Sequence, residues 1–210
     1  FILWQKSLPG EPSWESPWGK GRPGWHIECS AMIYKFLGAQ IDIHGGGSDL
    51  IYPHHESEIA QSEQFTAKQP FSQLWMHTGA VMYEGEKMSK SLGNLVMVSE
   101  LLKTYSANAI KYVLLSHHYR IPWEYRQKEL DEAQRAMDDI EETIKAKPVS
   151  PGSDTSIWVK QFSDALADDL DTPKALGTLI ELLEEQKANP TATNQEALMD
   201  MTEVLGFNTE

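Results

Sequence analysis

Three groups of residues have types and spacings suited to chemistry. The first is Cys29, His54 and Glu58. His54 and Glu58 stand four apart just after Pro53, so on a helix they project from one face and can share a cation. Cys29 adds a thiolate from an earlier segment, and a mixed sulfur, nitrogen and oxygen set suits Zn²⁺, with three protein ligands leaving a position open. The same residue types also serve as a small buried thiol and a solvated helix face, so spacing alone leaves both readings standing. The second group is Gly45-Gly46-Gly47-Ser48-Asp49, directly after an apolar strand-like stretch. Glycines there let a ligand approach the backbone, and Asp49 can accept hydrogen bonds from ribose hydroxyls; a flexible turn is the alternative. The third is Lys87-Met88-Ser89-Lys90-Ser91 before Leu92-Gly93-Asn94. Two lysines on a small-residue loop can neutralise charge that develops on phosphates. Trp25, His26, His44, His55 and Trp75 lie near these groups in sequence, where core packing is their ordinary use.

Positioning these residues requires a specific order of elements. Residues 1–24 are punctuated by Pro9-Gly10, Pro12, Pro17, Gly19, Gly21 and Pro23-Gly24, so little regular structure is expected. Residues 25–37 read as a helix closed by Gly38. Ile41, Asp42, Ile43 and His44 alternate as a short strand running into the glycines. Pro53 is the expected first-turn proline of a second helix through about Phe65, and residues 74–83 read as a second strand before the loop Glu84-Gly85-Glu86. Strand, helix and strand in alternation predict a parallel α/β sheet. From Ser99 the pattern is read as helical throughout. Leu130, Ala133, Met137, Ile140 and Ile144 recur at helical spacing. Thr172 before Pro173 reads as an N-cap ahead of Leu176, Leu179, Ile180 and Leu183. Thr193 to Glu196 has capping-box form ahead of Leu198, Met201, Val204 and Leu205. These helices predict a small bundle.

Length and composition agree with that layout. The chain has 210 residues, of which 40% are hydrophobic, and one cysteine. Its apolar content supports a buried core, and one cysteine excludes an internal disulfide framework, which favours a reducing compartment. No apolar run approaches the roughly 20 residues of a membrane-spanning helix. The start, Phe1-Ile2-Leu3-Trp4, has neither an initiator Met nor the form of a signal peptide, so the chain is read as part of a longer one. The formal charge of −13 is uneven: residues 1–125 carry 12 acids and 10 bases, residues 126–210 carry 19 acids and 8 bases. The acidic second part repels phosphate backbones, so any nucleic-acid contact must use a local basic patch.

Several strings resemble a known family. Lys87, Met88, Ser89, Lys90 and Ser91 spell the KMSKS signature of class I aminoacyl-tRNA synthetases. Gly24-Trp25-His26-Ile27-Glu28-Cys29-Ser30-Ala31, the run from Asp42 to Leu50, and Pro53-His54-His55-Glu56 are similar to cysteinyl-tRNA synthetases. The resemblance implies an α/β fold: the C-terminal half of a Rossmann-type parallel-sheet catalytic domain (residues 1–95), a connecting helical segment (96–125) and an α-helical bundle (126–210). It implies Cys29, His54 and Glu58 as zinc ligands, and Gly47, Asp49, Val81, Met82, Lys87, Met88, Ser89, Lys90 and Ser91 as the ATP-binding set. The same resemblance implies that Lys87 and Lys90 act catalytically on the phosphates and that Trp25, His26 and His44 line the amino-acid pocket. The implied cofactor is Zn²⁺, the implied substrates and partners are cysteine, ATP with Mg²⁺ and tRNA(Cys), and the implied place is the cytoplasm.

That family also carries a HIGH motif and a fourth zinc-binding cysteine in a first half of the fold that this sequence does not contain, so these 210 residues alone are expected to be inactive. The mycothiol-pathway cysteine ligases, which pass cysteine to glucosaminyl-inositol, are a related family. Residues 7–14 and 167–173 resemble both, whereas His44 and Glu58 resemble the synthetases. A zinc-stabilised binding module without catalysis is the non-enzymatic alternative.

Overall fold

The computed structural model describes residues 2–90, 92–152 and 154–209. The chain divides into two compact units, Phe1–Gly79 and Ala80–Glu210, so the division expected at residue 95 from resemblance lies inside the second unit.

In the first unit the proline- and glycine-rich start has little regular structure. Strand β1 (Trp4–Gln5) pairs antiparallel with β2 (Arg22–Pro23), and a single bridge joins Trp14 to Gly21. Helix α1 (His26–Phe36) follows and ends where expected: Leu37 and Gly38 both donate to the Ile33 carbonyl, with Gly38 at φ 104°, a left-handed conformation that costs glycine little. Strand β3 (Ile41–Gly47) runs parallel to β4 (Ser72–Thr78), with Ile41 opposite Ser72 and Gly47 opposite Thr78. The glycine triplet is therefore the end of the strand and not a turn. Between β3 and β4 come a 3₁₀ turn (Ser48–Leu50), a wide turn (Ile51–His55) and helix α2 (Glu56–Thr66). Tyr52 is extended at φ −132° and ψ 133°, so helical geometry begins at Pro53. Its missing N–H and fixed φ suit that position, and the Ser57 hydroxyl donates back to the Pro53 carbonyl at 2.6 Å.

The single strand expected over residues 74–83 is two strands. Beyond the break at Gly79-Ala80, β5 (Val81–Tyr83) belongs to the second unit and pairs antiparallel with β6 (Glu86–Lys87). The two-residue hairpin turn places Glu84 and Gly85 both at positive φ, the turn geometry whose twist matches the flanking strands. A further strand, β7 (Trp123–Glu124), lies parallel to β5 inside the stretch read as continuously helical. Two residues carry no periodicity, so only the pairing reveals it.

Helices α3 (Val98–Leu101), α4 (Ala107–Leu115), α5 (Gln127–Lys145), α6 (Ser156–Ala167), α7 (Thr172–Ala188) and α8 (Ala192–Val204) complete the second unit. The predicted stripe Leu130, Ala133, Met137, Ile140 and Ile144 is buried along its whole length. Its lower part packs with Leu176, Leu179, Leu183, Leu198 and Met201 in the main core, and Leu130 and Ala133 pack with Ala109, Ile110 and Val113 of α4. Ile180 and Leu205 are only partly buried against this core, and Val204 points out at 64% exposure. Both caps in the last two helices lie earlier than expected. Asp171, not Thr172, accepts from the Lys174 N–H at 3.1 Å, and Thr191, not Thr193, accepts from the Asn194 N–H at 3.1 Å. Adjacent polar residues compete for each cap, and the one with non-helical backbone wins. Among the described residues no helix is long and apolar enough to cross a membrane.

Candidate metal centre and lysine-bearing loop

The first unit brings one predicted group together. Helix α1 supplies Trp25 at its start, His26 and Cys29; the entry to α2 supplies His54, His55 and Glu58; β3 supplies His44. The ligand atoms of Cys29, His54 and Glu58 all lie within 4.8 Å of one another. Glu58 is 0% exposed. Its Oε2 stands 2.9 Å from His44 Nε2, 3.8 Å from His54 Nε2 and 3.9 Å from His55 Nε2, while Oε1 has no hydrogen-bond partner. A buried carboxyl oxygen without a partner normally costs about 1–3 kcal/mol, and a cation beside the Cys29 thiol and His54 imidazole removes that penalty. The residues therefore fit a soft divalent ion such as Zn²⁺.

The surrounding side chains hold this group in place. His54 Nδ1 lies 2.8 Å from His26 Nδ1, one of the two carrying the proton, which leaves His54 Nε2 turned toward Glu58. A ligating imidazole whose other nitrogen is fixed in this way keeps its tautomer and orientation. The Trp25 indole stacks on the His54 ring at 4.4 Å and 11° and is itself 53% exposed, so it forms one wall beside these candidate ligand atoms. Burial, then the facing His54, lowers the His26 pKa. The Cys29 thiol is raised by burial first and then by Glu58 and Glu28, so metal binding there must displace a proton.

A second group was not singled out in the sequence. His44, His55 and Glu58 also bring their ligand atoms within 4.8 Å of one another, and His55 Nδ1 lies 2.8 Å from His77 Nε2 on β4. Burial, reinforced by His44, His77 and His54, takes the His55 pKa down to about 4. Trp75 packs beneath, its ring 4.7 Å from His44 and 5.2 Å from His55. The alternation of Trp75 and His77 on one strand face was the available signal. Gly46 shows why the triplet is glycine: a Cβ there would lie 2.9 Å from His55 Cε1 and 3.1 Å from Leu50 Cδ1. Gly47 and Asp49 also meet, since a Cβ on Gly47 would fall 2.5 Å from Asp49 Oδ1.

The remaining predicted residues lie in the second unit. Val81 and Met82 are on β5, with Met82 opposite Lys87 and the Met88 N–H donating to the Val81 carbonyl at 3.0 Å. Lys87 and Lys90 are exposed, Met88 and Ser89 half-buried, and Ser91 lies outside the described residues. Asn94, quoted in sequence beside the motif but given no role, ties the loop: its Oδ1 accepts from the Ser89 N–H at 2.9 Å and its Nδ2 donates to the Lys87 carbonyl at 3.3 Å.

Comparison with known proteins fits these observations. The family described as tRNA synthetases class I (C) catalytic domain matches residues 1–135. A Cysteine--tRNA ligase of Legionella pneumophila (strain Corby) is 46% identical over 209 residues, covering 99% of this chain and 46% of that protein. One from Azotobacter vinelandii is 50% identical over 185 residues, 88% of this chain and 40% of that protein. One from Carboxydothermus hydrogenoformans is 44% identical over 226 residues, 99% and 48% respectively. The chain thus spans about half the length of the curated relatives it matches. Among solved structures, the LeuRS of Agrobacterium radiobacter K84 agnB2 in a ternary complex with tRNA and LeuAMS superposes with a TM-score of 0.63 at 13% identity. That match covers 92% of this chain and 31% of that one, and carries the fold alone. With a Rossmann-type α/β arrangement, a helical C-terminal region and this family match over residues 1–135, the chain belongs to the class I (C) family of tRNA synthetases.

Proposed function

We propose that the protein is a cysteine–tRNA ligase and that this chain carries the amino-acid-selecting and KMSKS-bearing part of it. The carboxylate of cysteine attacks the α-phosphate of ATP, forming cysteinyl-adenylate and releasing pyrophosphate. A 3′-terminal hydroxyl of tRNA then attacks the acyl carbon and AMP departs. The observation that carries the reading is that ligand atoms of Cys29, His54 and the fully buried Glu58 lie within 4.8 Å of one another, in a chain 44–50% identical to proteins named for that activity.

Cys29, His54 and Glu58 hold zinc in this reading. Bound zinc supplies a soft Lewis acid that lowers a thiol's pKa and prefers sulfur to hydroxyl oxygen, which separates cysteine from serine. His44 orients Glu58, His26 orients His54, and Trp25 walls the amino-acid pocket. The Gly47 backbone and Asp49 carboxyl meet the ribose, and Val81 and Met82 offer backbone beside adenine. Lys87 and Lys90 stabilise charge on the phosphates, with Mg²⁺ arriving as part of the nucleotide. Met88, Ser89 and Ser91 complete the loop. The remaining parts of the active site, including the HIGH motif, belong to an N-terminal half of the same fold, and the cytoplasm is the place of action.

The test uses the whole gene product. Cysteine is expected to drive ATP–pyrophosphate exchange and serine is not, and the cysteine formed as adenylate passes to tRNA and not to glucosaminyl-inositol. Equal exchange with serine would overturn the zinc-selectivity reading, and transfer to the amino sugar would overturn the acceptor.

A further inference from the structure

The first 24 residues hold three tryptophans that the proposed reaction does not use. Trp18 is 78% exposed and Trp14 is 55% exposed. An isolated exposed indole needs no explanation, but Trp18 is held out by a fixed turn. The Trp18 N–H donates to Ser16 Oγ at 3.2 Å, Ser16 Oγ donates to the Gly19 carbonyl at 2.6 Å, and the Gly19 N–H donates to the Ser16 carbonyl at 3.0 Å. The Trp4 indole N–H donates to the same Gly19 carbonyl at 3.2 Å, which ties strand β1 to the turn. The two rings stand 6.3 Å apart and 50° from parallel, so they splay open instead of covering one another.

A concavity of about 740 Å³ lies at this place, lined by Trp4, Gln5, Lys6, Trp18 and Lys20 among others, and among the described residues no carboxylate lines it. Both lysines are exposed. Arg22 and Glu11, the nearby opposite charges, neutralise one another across 3.0 Å. In a chain with 31 acids against 18 bases, a groove with two ammonium groups and no acid is a local reversal of sign. An exposed aromatic face beside cations is the arrangement that binds single-stranded nucleic acid, with bases stacking on the indole and phosphates meeting the lysines. A duplex offers no open base face for the indole to stack on.

We propose that Trp18 and Trp4, with Lys6 and Lys20, form a landing surface for a single-stranded RNA segment. It rests on the tRNA ligase reading, in which the segment is the unpaired 3′ end of the tRNA. Trp18 stacks on a base and the lysines hold the flanking phosphates; none of the four acts in adenylate formation.

The experiment measures fluorescence anisotropy of labelled eight-nucleotide oligouridylate with the whole gene product and two variants. Trp18→Ala is expected to weaken binding about 5- to 150-fold, the range for loss of one stacked base. Lys6→Gln/Lys20→Gln is expected to lower the slope of log affinity against log salt by about 1.4, or about 0.7 per phosphate contact. A blunt RNA duplex is expected to bind both variants as it binds the parent. In charging assays Trp18→Ala raises the KM for tRNA while cysteine-dependent pyrophosphate exchange, which involves no RNA, stays at the parent rate. Unchanged oligouridylate binding in both variants, or an equal loss for duplex, overturns the surface. If the parent shows no cysteine-dependent exchange, the ligase reading fails instead, and oligouridylate binding still decides the surface on its own.

Discussion

Replacing Glu58 with methionine is expected to reverse the stability order of parent and variant according to whether zinc is present. Methionine is unbranched and close in volume, so the fully buried site keeps its packing. The variant loses the Oε1 atom that has no partner, a gain of about 1–3 kcal/mol. It also loses the 2.9 Å bond to His44, a loss of about 1 kcal/mol. In chelator the variant should therefore match the parent or exceed it by about 0–2 kcal/mol. Free zinc at 100 times the parent's dissociation constant stabilises the parent by about 2.7 kcal/mol. If loss of a ligand weakens affinity about 100-fold, the upper end for even an outer partner, the same zinc stabilises the variant by only about 0.4 kcal/mol. The difference in zinc response is thus about 2.3 kcal/mol, or about 5–9 °C in Tm for a chain of this size. Urea denaturation followed by far-UV circular dichroism, with and without chelator, measures both quantities. An equal loss of stability under the two conditions would mean that Glu58 is a structural hydrogen-bonding group and not a ligand.

Other outcomes follow from the same geometry. Because the Cys29 thiol is raised by burial and by Glu58 and Glu28, zinc binding at pH 7 should release about one proton from it, read by calorimetry in buffers of different ionisation enthalpy; Cys29→Ser should lose most of that release. In the metal-free protein His55 titrates near 4, below its ordinary 6.5, so the unfolded chain binds more protons between those values. Its contribution is fully present above pH 6.5 and is lost as pH falls through 4, and His55→Gln should flatten that part of a stability–pH profile. In the bundle, Leu198 and Leu182 are both 0% exposed; Leu198→Ala should lower stability by about 2–5 kcal/mol, seen as a reduced urea midpoint with an unchanged m-value. The exposed Val204→Ala should change it by less than about 0.5 kcal/mol.

Residues whose consequence is local were legible in the chain itself. Gly38 closes α1 because the helix there needs a left-handed residue, and the stripe from Leu130 to Ile144 faces inward because 3.6-residue periodicity puts those side chains on one face. Cys29, His54 and Glu58 were marked as a group by residue type and the four-residue step, and the KMSKS string by its own composition. Tertiary structure decided what depends on residues distant in sequence. The parallel pairing of Trp123–Glu124 with β5 makes a strand that two residues cannot announce. The pairing of Gly47 with Thr78 turns an apparent loop into the end of a strand, and the approach of His55 leaves Gly46 no room for a side chain. Only the packed elements show that Glu58 loses all contact with water and leaves one oxygen without a partner, or that His77 stands behind His55 and Asn94 clasps Lys87 and Ser89. Residue type and spacing grouped the candidate ligands and left two readings open; desolvation, which exists only once strands and helices close around a side chain, turned one ordinary glutamate into the centre of the candidate site.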